Sequence, residues 1–464
     1  MTSVRERVAI IFMTMSVIAT VALGGAVAHE LGRKSTSTVV NTAAGSAAAM
    51  VTPGADASTG AAAGPAGSAV TGAGSAVTTG TTLAGGTALA TGGGAAPAGQ
   101  LSNNTIGVNN GLITVGGIYD ETGPFDATVE RDTVRAYFDK VNAAGGVNGY
   151  KFQLLDCDSG YDPSRAHQCA QRLLSQHVLS IVGWLSVSGE EAETGFFNSQ
   201  GVPIIGGLGV PSEFQVPLSW QASVNFTAYG TGMGAHAADL GIKSPAIVVL
   251  NVPFIKPVEQ ALLAGLHAHG IKEKSLDEVD PTKPDYTDLA LKAQTEGADS
   301  IIGALDPFSY ARFFQALSRE NYHPKFLGLG LDKTSANQAY GSAVYGAESL
   351  TPFLEPQDHA SDPNIADYES TVRQYFPSQV AALDVYTEGE WIAAHLFTDA
   401  VGRIGKAAVT RQSLAAALNT ITNFQSGLTI PLSYSSSNHD PNHCFQWIHD
   451  VKGVWTTYSD WKCF

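Results

Sequence analysis

The stretch that decides the fold is KVNAAGGVNGYKFQLLDCDSGYDPSRAHQCAQRLL, residues 140–174. Gly145 and Gly146 permit the left-handed backbone at which a helix ends, and Asn148-Gly149 is typical of a turn into a strand, expected at 151–155. An Asp followed by Pro163 is typical of a helix start, so a further helix is expected to about residue 174. The order helix, strand, helix predicts part of a parallel α/β sheet.

The same alternation extends in both directions from this stretch. A strand is expected at 112–118 and a helix over 129–141, where Val134, Tyr137 and Phe138 share one face. Strands and helices then alternate to about residue 206, and a second series runs from 229 to 329. A body of this length exceeds what one hydrophobic core usually spans, so the pattern predicts two doubly wound parallel-sheet lobes of the α/β class.

The first 105 residues have a different composition from the rest. Arg5 and Arg7 precede a low-charge run over 8–28 that ends in Ala-Val-Ala. That pattern predicts, within residues 1–34, either an export signal cleaved after Ala28 or an uncleaved membrane anchor. Residues 35–105 are almost wholly Ala, Gly, Ser, Thr and Val, which predicts a flexible linker without a core. Either alternative places the body, 106–464, outside the cytoplasm.

Charge and cysteine content narrow the class of partner. The formal net charge of −16 disfavours binding to nucleic acid or to anionic lipid, because both need basic side chains. The cysteines form two close pairs, Cys157 with Cys169 and Cys444 with Cys463. In an exported protein these pairs favour local disulfides, since each pair brackets one supersecondary unit, with metal ligation as the alternative.

No motif of enzymatic chemistry is present in the sequence. It lacks the nucleophile elbow G-x-S-x-G, the zinc motif H-E-x-x-H and the phosphate loop G-x-x-x-x-G-K-[ST]. His439, Asp440 and His443 beside Cys444 could ligate zinc, but a polar surface loop with Cys444 bonded to Cys463 is the favoured explanation. We therefore expect a protein that is not an enzyme and has no cofactor or metal.

The loops after the parallel strands are the expected ligand site, since open α/β sheets bind ligands at the carboxyl ends of their strands. Hydroxyl and backbone N–H groups at the start of the helix at 189–199 could meet a carbonyl or anionic oxygen, although a cap by Ser188 explains them as well. Aromatic residues could stack on an organic ligand or simply pack between lobes, and two acids could receive a cationic nitrogen. The candidates are Thr122, Phe125, Trp184, Ser186, Ser188, Gly189, Leu208 and Gly209 in the first lobe, and Phe254, Asp306, Phe308 and Asp332 in the second.

The motifs TGPF, YFDKVNAAGGVNGYKFQLLDCDSGYDPSRAHQCAQRLL, IVGWLSVSG and GVPIIGG carry a family resemblance. Residues 112–464 resemble the type I periplasmic solute-binding proteins, the branched-chain amino-acid (Leu/Ile/Val-binding) receptor group of ABC importers. The resemblance implies two lobes joined by three crossover strands that close on a small ligand. It also implies a first lobe of about 111–227 plus 354–431 and a second lobe of about 228–353 plus 432–464.

The resemblance also bears on the ligand. Amino-acid-binding members hold the α-carboxylate with a Ser, a Thr and backbone N–H groups, and the ungapped match places Val187 and Val210 at the hydroxyl positions. The Tyr and Glu that receive the ammonium group fall near Asp306 and Gly330. A less charged ligand, such as an amide or small apolar acid, is therefore expected, because a buried carboxylate without donors costs roughly 1–3 kcal/mol per missing bond.

These observations predict a monomeric, extracytoplasmic substrate-binding subunit that captures a small organic solute for an ABC permease in the membrane. The solute is expected to be amino-acid-like, an amide or a small carboxylate. The alternative is a ligand-sensing receptor domain that signals through a partner protein.

Overall fold

Two sheets, each in its own α/β lobe, make up the part of the chain that the computed structural model describes, residues 98–123 and 126–464. The predicted signal or anchor segment and nearly all of the predicted linker lie outside these residues, and so does Phe125. Among the described residues, no helix is both long enough and apolar enough to cross a bilayer. The predicted two-lobe α/β architecture is confirmed.

The elements are numbered here in chain order. The strands are β1 (Val108–Asn109), β2 (Leu112–Tyr119), β3 (Lys151–Asp158), β4 (Ile181–Val182), β5 (Ile204–Ile205), β6 (Ser219–Trp220), β7 (Ala246–Leu250), β8 (Ser275–Val279), β9 (Ser300–Ala304), β10 (Lys325–Leu329), β11 (Glu348–Thr351), β12 (Cys444–Asp450), β13 (Trp455–Thr457) and β14 (Lys462–Cys463). The helices are α1 (Thr128–Ala143), α2 (Pro163–Ser175), α3 (Val187–Ser199), α4 (Phe226–Asp239), α5 (Ile255–Ala268), α6 (Thr287–Glu296), α7 (Pro307–Arg319), α8 (Asn337–Tyr340), α9 (Pro363–Tyr375), α10 (Val385–Ile404) and α11 (Arg411–Leu418).

The deciding stretch folds as its sequence predicts. Asn148 and Gly149 both have positive φ, at 51° and 85°, and turn the chain from α1 into β3. Gly146 has φ +83°, and a Cβ there would lie 2.0 Å from the carbonyl oxygen of Tyr150, so only glycine fits. Asp162 caps α2 by accepting a hydrogen bond from the Arg165 N–H at 2.9 Å.

The first lobe is built on a parallel sheet with the order β3-β2-β4-β5-β6, and β1 pairs antiparallel with the start of β2. One face is covered by α1, α9, α10 and α11, whose apolar side chains share a core with β2, β3 and β5. The other face is covered by α2 and α3, and the disulfide Cys157–Cys169 lies in that smaller core. Burial on both faces explains why the central strands β4 and β5 are wholly apolar, whereas the edge strand β3 alternates apolar with exposed polar residues.

The second lobe contains β7 to β14 in the order β13-β12-β11-β10-β9-β7-β8, with β14 paired to β12. Strands β7 to β11 are parallel, whereas β12 pairs antiparallel with both β11 and β13. The hairpin between β12 and β13 turns at Lys452 and Gly453, as expected, and both residues have positive φ. The second predicted disulfide, Cys444–Cys463, joins β12 to β14.

The chain passes between the lobes three times. It leaves the first sheet after residue 220, returns between residues 351 and 353, and leaves again between residues 434 and 444. Near the start of the described chain, residues 98–107 form a strap along the first lobe. Gly99 N–H donates to the Asn198 carbonyl at 2.8 Å, and Gln412 N–H donates to the Ser102 carbonyl at 3.2 Å.

Candidate ligand-binding site

Two adjoining cavities lie between the lobes, over the carboxyl ends of both parallel sheets. Both are partly open to solvent, and they share part of their lining. The first lobe supplies the loops after β4 and β5 and the first turn of α10, and the second lobe supplies the loops after β7, β9 and β10. Each sheet reverses its strand order beside these loops, at β2/β4 and at β7/β9, which is where doubly wound sheets bind ligands.

The lining of the cavities is mostly apolar and aromatic. The side chains that contribute apolar surface are Leu185, Val187, Leu208, Phe226, Tyr229, Leu250, Phe254, Ile255, Leu305, Pro307, Leu329, Pro352, Phe353, Val385 and Tyr386, with Tyr161 at one side. The acidic side chains in the lining are Asp306 and Glu390, and none of the described lining residues is Lys, Arg or His. The surface therefore suits an apolar molecule and offers no cation to a bound anion.

Tyr386 and Gly330 bring the lobes into close contact at the floor of the cavities. Gly330 has φ +72°, and a Cβ on it would lie 2.6 Å from the Tyr386 hydroxyl oxygen. Any larger residue would push α10 away from the end of β10. Burial and the charge of Asp332 raise the pKa of Tyr386, so the hydroxyl remains protonated at neutral pH.

The backbone N–H groups of the first-lobe loops already bond to carboxyl groups of the protein itself. The Glu190 side chain is fully buried, and its two oxygens accept from Ser186 N–H at 2.9 Å and from Leu208 N–H at 2.7 Å. Val187 N–H donates to Asp120 Oδ2 at 2.9 Å. Burial and the neighbouring Glu213 raise the pKa of Glu190 well above its usual range.

Glu213 holds the loop after β5 in the same way. Its fully buried carboxyl accepts from Gly209 N–H and from Trp184 Nε1, both at 2.9 Å. Burial raises its pKa to about 8, although the hydrogen bonds from Gly209, Trp184 and Glu190 offset part of that effect. Two buried carboxyl groups in contact favour a state in which at least one is protonated.

A buried cation of the second lobe bonds to two acids of the first lobe. Lys333 follows β10 and is 1% exposed, and its ammonium group bonds to Glu130 of α1 and to Asp384 Oδ2 at 2.9 Å. Asp384 also caps α10, with Thr387 completing a capping box. This cluster ties the lobes together beside the cavities and fixes the first turn of α10.

The structure places the first-lobe candidates in three environments. Leu208 lines both cavities. Trp184, Ser186 and Gly209 do not line them, because their polar groups bond to Glu213, Glu190 and Ser159 within the lobe. The remaining candidates also lie away from the cavities. Thr122 donates to Asp158 at 2.6 Å, Gly189 packs against Ser186 and Ala166, and Ser188 lies inside α3, which begins at Val187 rather than at residue 189 as expected.

The second-lobe candidates divide similarly. Phe254 and Asp306 line the larger cavity. Asp306 also caps α7, accepting from Phe308 N–H at 2.9 Å and Ser309 N–H at 3.0 Å. Phe308 is 44% exposed at a separate rim pocket, and Asp332 is buried outside the cavities, where burial raises its pKa to about 7.

Several lining residues escaped the sequence analysis. Tyr386 and Glu390 come from α10, and Phe226 and Tyr229 come from α4, the helix that follows the first crossing. A search that considers only the loops after strands misses side chains that α4 and α10 contribute to the cavities. Glu190 is not among the sequence candidates, because nothing in its spacing indicates that it bonds to two loops.

The protein-family model described as periplasmic binding protein matches residues 112–452 of the chain. Leu/Ile/Val-binding protein homolog 3 of Brucella melitensis is 22% identical over 332 residues, which cover 68% of this chain and 88% of that protein. A fatty acid ABC transporter substrate-binding protein from Thermomonospora curvata superposes with TM-score 0.70 at 17% identity, over 77% of this chain and 94% of that one. A branched-chain amino acid ABC transporter protein from Thermus thermophilus with bound valine superposes with TM-score 0.68 at 14% identity. The superposition covers 76% of this chain and 97% of that one.

Two lobes that enclose an apolar cavity, with relatives that bind solutes, define a substrate-binding protein rather than an enzyme. The chain belongs to the type I periplasmic binding proteins, in the branched-chain amino-acid receptor family. Membership of this family implies a location outside the cytoplasm.

Proposed function

We propose that the chain is the extracytoplasmic subunit of an ABC importer and captures a small organic solute with an apolar body between its two lobes. The observation that carries the proposal is the pair of adjoining cavities lined by strand-end loops of both lobes. Because both lobes contribute to the lining, a bound solute stabilises their closed arrangement. The permease would then recognise that closed form.

The apolar body of the solute follows from the lining. Burial of an alkyl or aryl group against the leucine and aromatic side chains contributes a favourable binding free energy of about 25 cal/mol per Å² of apolar surface removed from water. The fatty acid transporter protein and the protein with bound valine that superpose on this chain both concern molecules with an apolar part, which supports the same solute class. The comparisons with binding proteins of transporters do not favour a signalling receptor.

A solute panel measured by thermal shift tests the proposal. Amino acids, alkyl and aryl amides and small carboxylates are each added to the exported body, and at least one is expected to raise Tm with saturable dependence on concentration. No shift with any member at millimolar concentration would contradict the proposal.

Two phenylalanines provide a matched pair of variants for the solute that gives a shift. Phe254 lines the larger cavity, whereas Phe308 is exposed at the rim. Phe254→Ala is expected to weaken binding by about tenfold, since it removes one buried aromatic contact, and Phe308→Ala should leave the affinity within about twofold. Equal effects of the two substitutions would place the solute elsewhere.

A further inference from the structure

The Glu190 carboxylate lies where a bound anion would bridge two loops of the first lobe. One oxygen accepts from the N–H of Ser186, after β4, and the other accepts from the N–H of Leu208, after β5. Neighbouring loops that present N–H groups toward a cleft are favourable positions for an anionic or carbonyl oxygen. In this chain, a side chain of α3 fills that position from inside the lobe.

Two more acids bond to the remaining N–H groups of the same loops. Asp120 accepts from Val187 N–H, and Glu213 accepts from Gly209 N–H and, in addition, from the backbone of Val210. A solute carboxylate that entered here would find these donors occupied and buried carboxyl groups beside it. It would have to displace a buried acid or remain unpaired, and either outcome is costly.

The rest of the described lining supplies no cation that would pair with a solute carboxylate. Among the described residues that line the cavities, the charged types are the acids Asp306 and Glu390. Glu390 is buried in the first turns of α10, and its Oε2 has no hydrogen-bond partner among the described atoms. This oxygen offers a hydrogen-bonding position to an uncharged polar group of the solute.

We propose that Glu190 and Glu213 are specificity-determining residues that exclude a free carboxylate, so that the solute is an uncharged molecule with an apolar body, such as an alkyl or aryl amide. The inference rests on the proposed function and narrows its solute class. The inference concerns the polar head group of the solute, and the thermal-shift panel alone does not identify that group.

The experiment compares two matched pairs of probes by isothermal titration calorimetry at pH 7.5: isovaleramide with isovalerate, and benzamide with benzoate. Within each pair the apolar body is the same, so the ratio of the two Kd values reports the head group. The wild-type protein is expected to bind at least one amide about tenfold or more tightly than its acid, since the loop N–H groups that would receive the carboxylate already bond to Glu190 and Glu213. Glu190→Ala frees two N–H groups and should reduce that ratio to about one or reverse it.

Glu191→Ala is the matched control, because Glu191 is the adjacent acid of α3 and accepts from Ser212 N–H, at 3.3 Å, rather than from the two loop N–H groups that Glu190 holds. It should leave the amide-to-acid ratio unchanged. If Glu190→Ala does not fold, Glu190→Gln keeps the side-chain shape, and a reduced ratio in that variant supports the same conclusion. Wild-type binding of the acids as tightly as the amides would overturn the inference but leave solute binding intact. Failure of all four probes would overturn it too, and the proposed function would fail as well only if the broader panel also gave no shift.

Discussion

Removal of the Lys333 charge is expected to weaken the contact between the lobes. Lys333→Met keeps most of the side-chain length but leaves Glu130 and Asp384, both 0% exposed, without their shared cation. Breaking a buried ion pair by deleting one partner costs roughly 3–5 kcal/mol, because the remaining charge is desolvated. We expect a loss of that size at pH 8, measured as the free energy of unfolding in urea by tryptophan fluorescence.

The loss should depend on pH with a defined sign. Burial raises the pKa of Glu130 to about 7 even with Lys333 present. An acid whose folded pKa exceeds its unfolded value contributes stability that is lost as pH rises through the folded pKa. Without the cation this pKa rises further, so Glu130 is neutral at pH 5.5 and the variant should lose less stability there than at pH 8.

An exposed ion pair supplies the control. Lys140 and Asp367 are 38% and 53% exposed, and Lys140→Met should cost less than about 1 kcal/mol. Small-angle scattering of the apo protein should show a larger radius of gyration for Lys333→Met than for Lys140→Met. Equal losses of stability in the two variants, or a loss that grows toward pH 5.5, would refute this account of the cluster.

Three other substitutions test the structure away from the lobe contact. Arg411 is buried and donates to backbone carbonyls, among them that of Leu179 at 3.0 Å, so Arg411→Met should cost about 3 kcal/mol in urea unfolding. The disulfide between Cys157 and Cys169 closes a loop with sequence separation 12, so its removal by a double Ser substitution should cost roughly 2–4 kcal/mol, measured as a lower Tm. Burial raises the pKa of Glu213 to about 8, so its contribution to stability falls as pH rises from about 4.5 to 8, and Glu213→Gln should flatten that dependence in urea midpoints.

Each of these three expectations has an outcome that contradicts it. Arg411→Lys should recover part of the loss because it keeps a donor, and full recovery would show that the guanidinium geometry is unimportant. Reducing agent should lower the Tm of the wild type but not that of the double Ser variant. An unchanged pH dependence in Glu213→Gln would assign the titration to other buried acids.

The order of elements could be predicted from sequence because it depends on local signals. Asp162 with Pro163, and Asn148 with Gly149, each fix a boundary through backbone conformation alone, and the structure agrees within a few residues. Strand β6 was missed because Ser219–Trp220 carries no alternation and pairs only through β5. Very short strands are stabilised by their neighbours rather than by their own pattern.

The candidate site was less predictable, for a different reason. The strand-end loops were the predicted place of the site, yet a loop residue can turn either toward the cavity, as Leu208 does, or into the core, as Trp184 does. That choice depends on a distant acid, Glu213, which accepts from the Trp184 indole. Single-sequence reasoning has no access to such a pairing across 29 positions of the chain.

The strap at residues 98–107 attaches to the C-terminal end of α3, where the Gly99 N–H donates to the Asn198 carbonyl. Glu190 lies in the first turn of the same helix. A helix of 13 residues is about 20 Å long, so the strap is attached to the first lobe far from the Glu190 end of α3. A force applied at the amino side of the body therefore acts directly on the first lobe. The second lobe receives that force only through its connections with the first lobe, among them the contacts of Lys333 with Glu130 and Asp384.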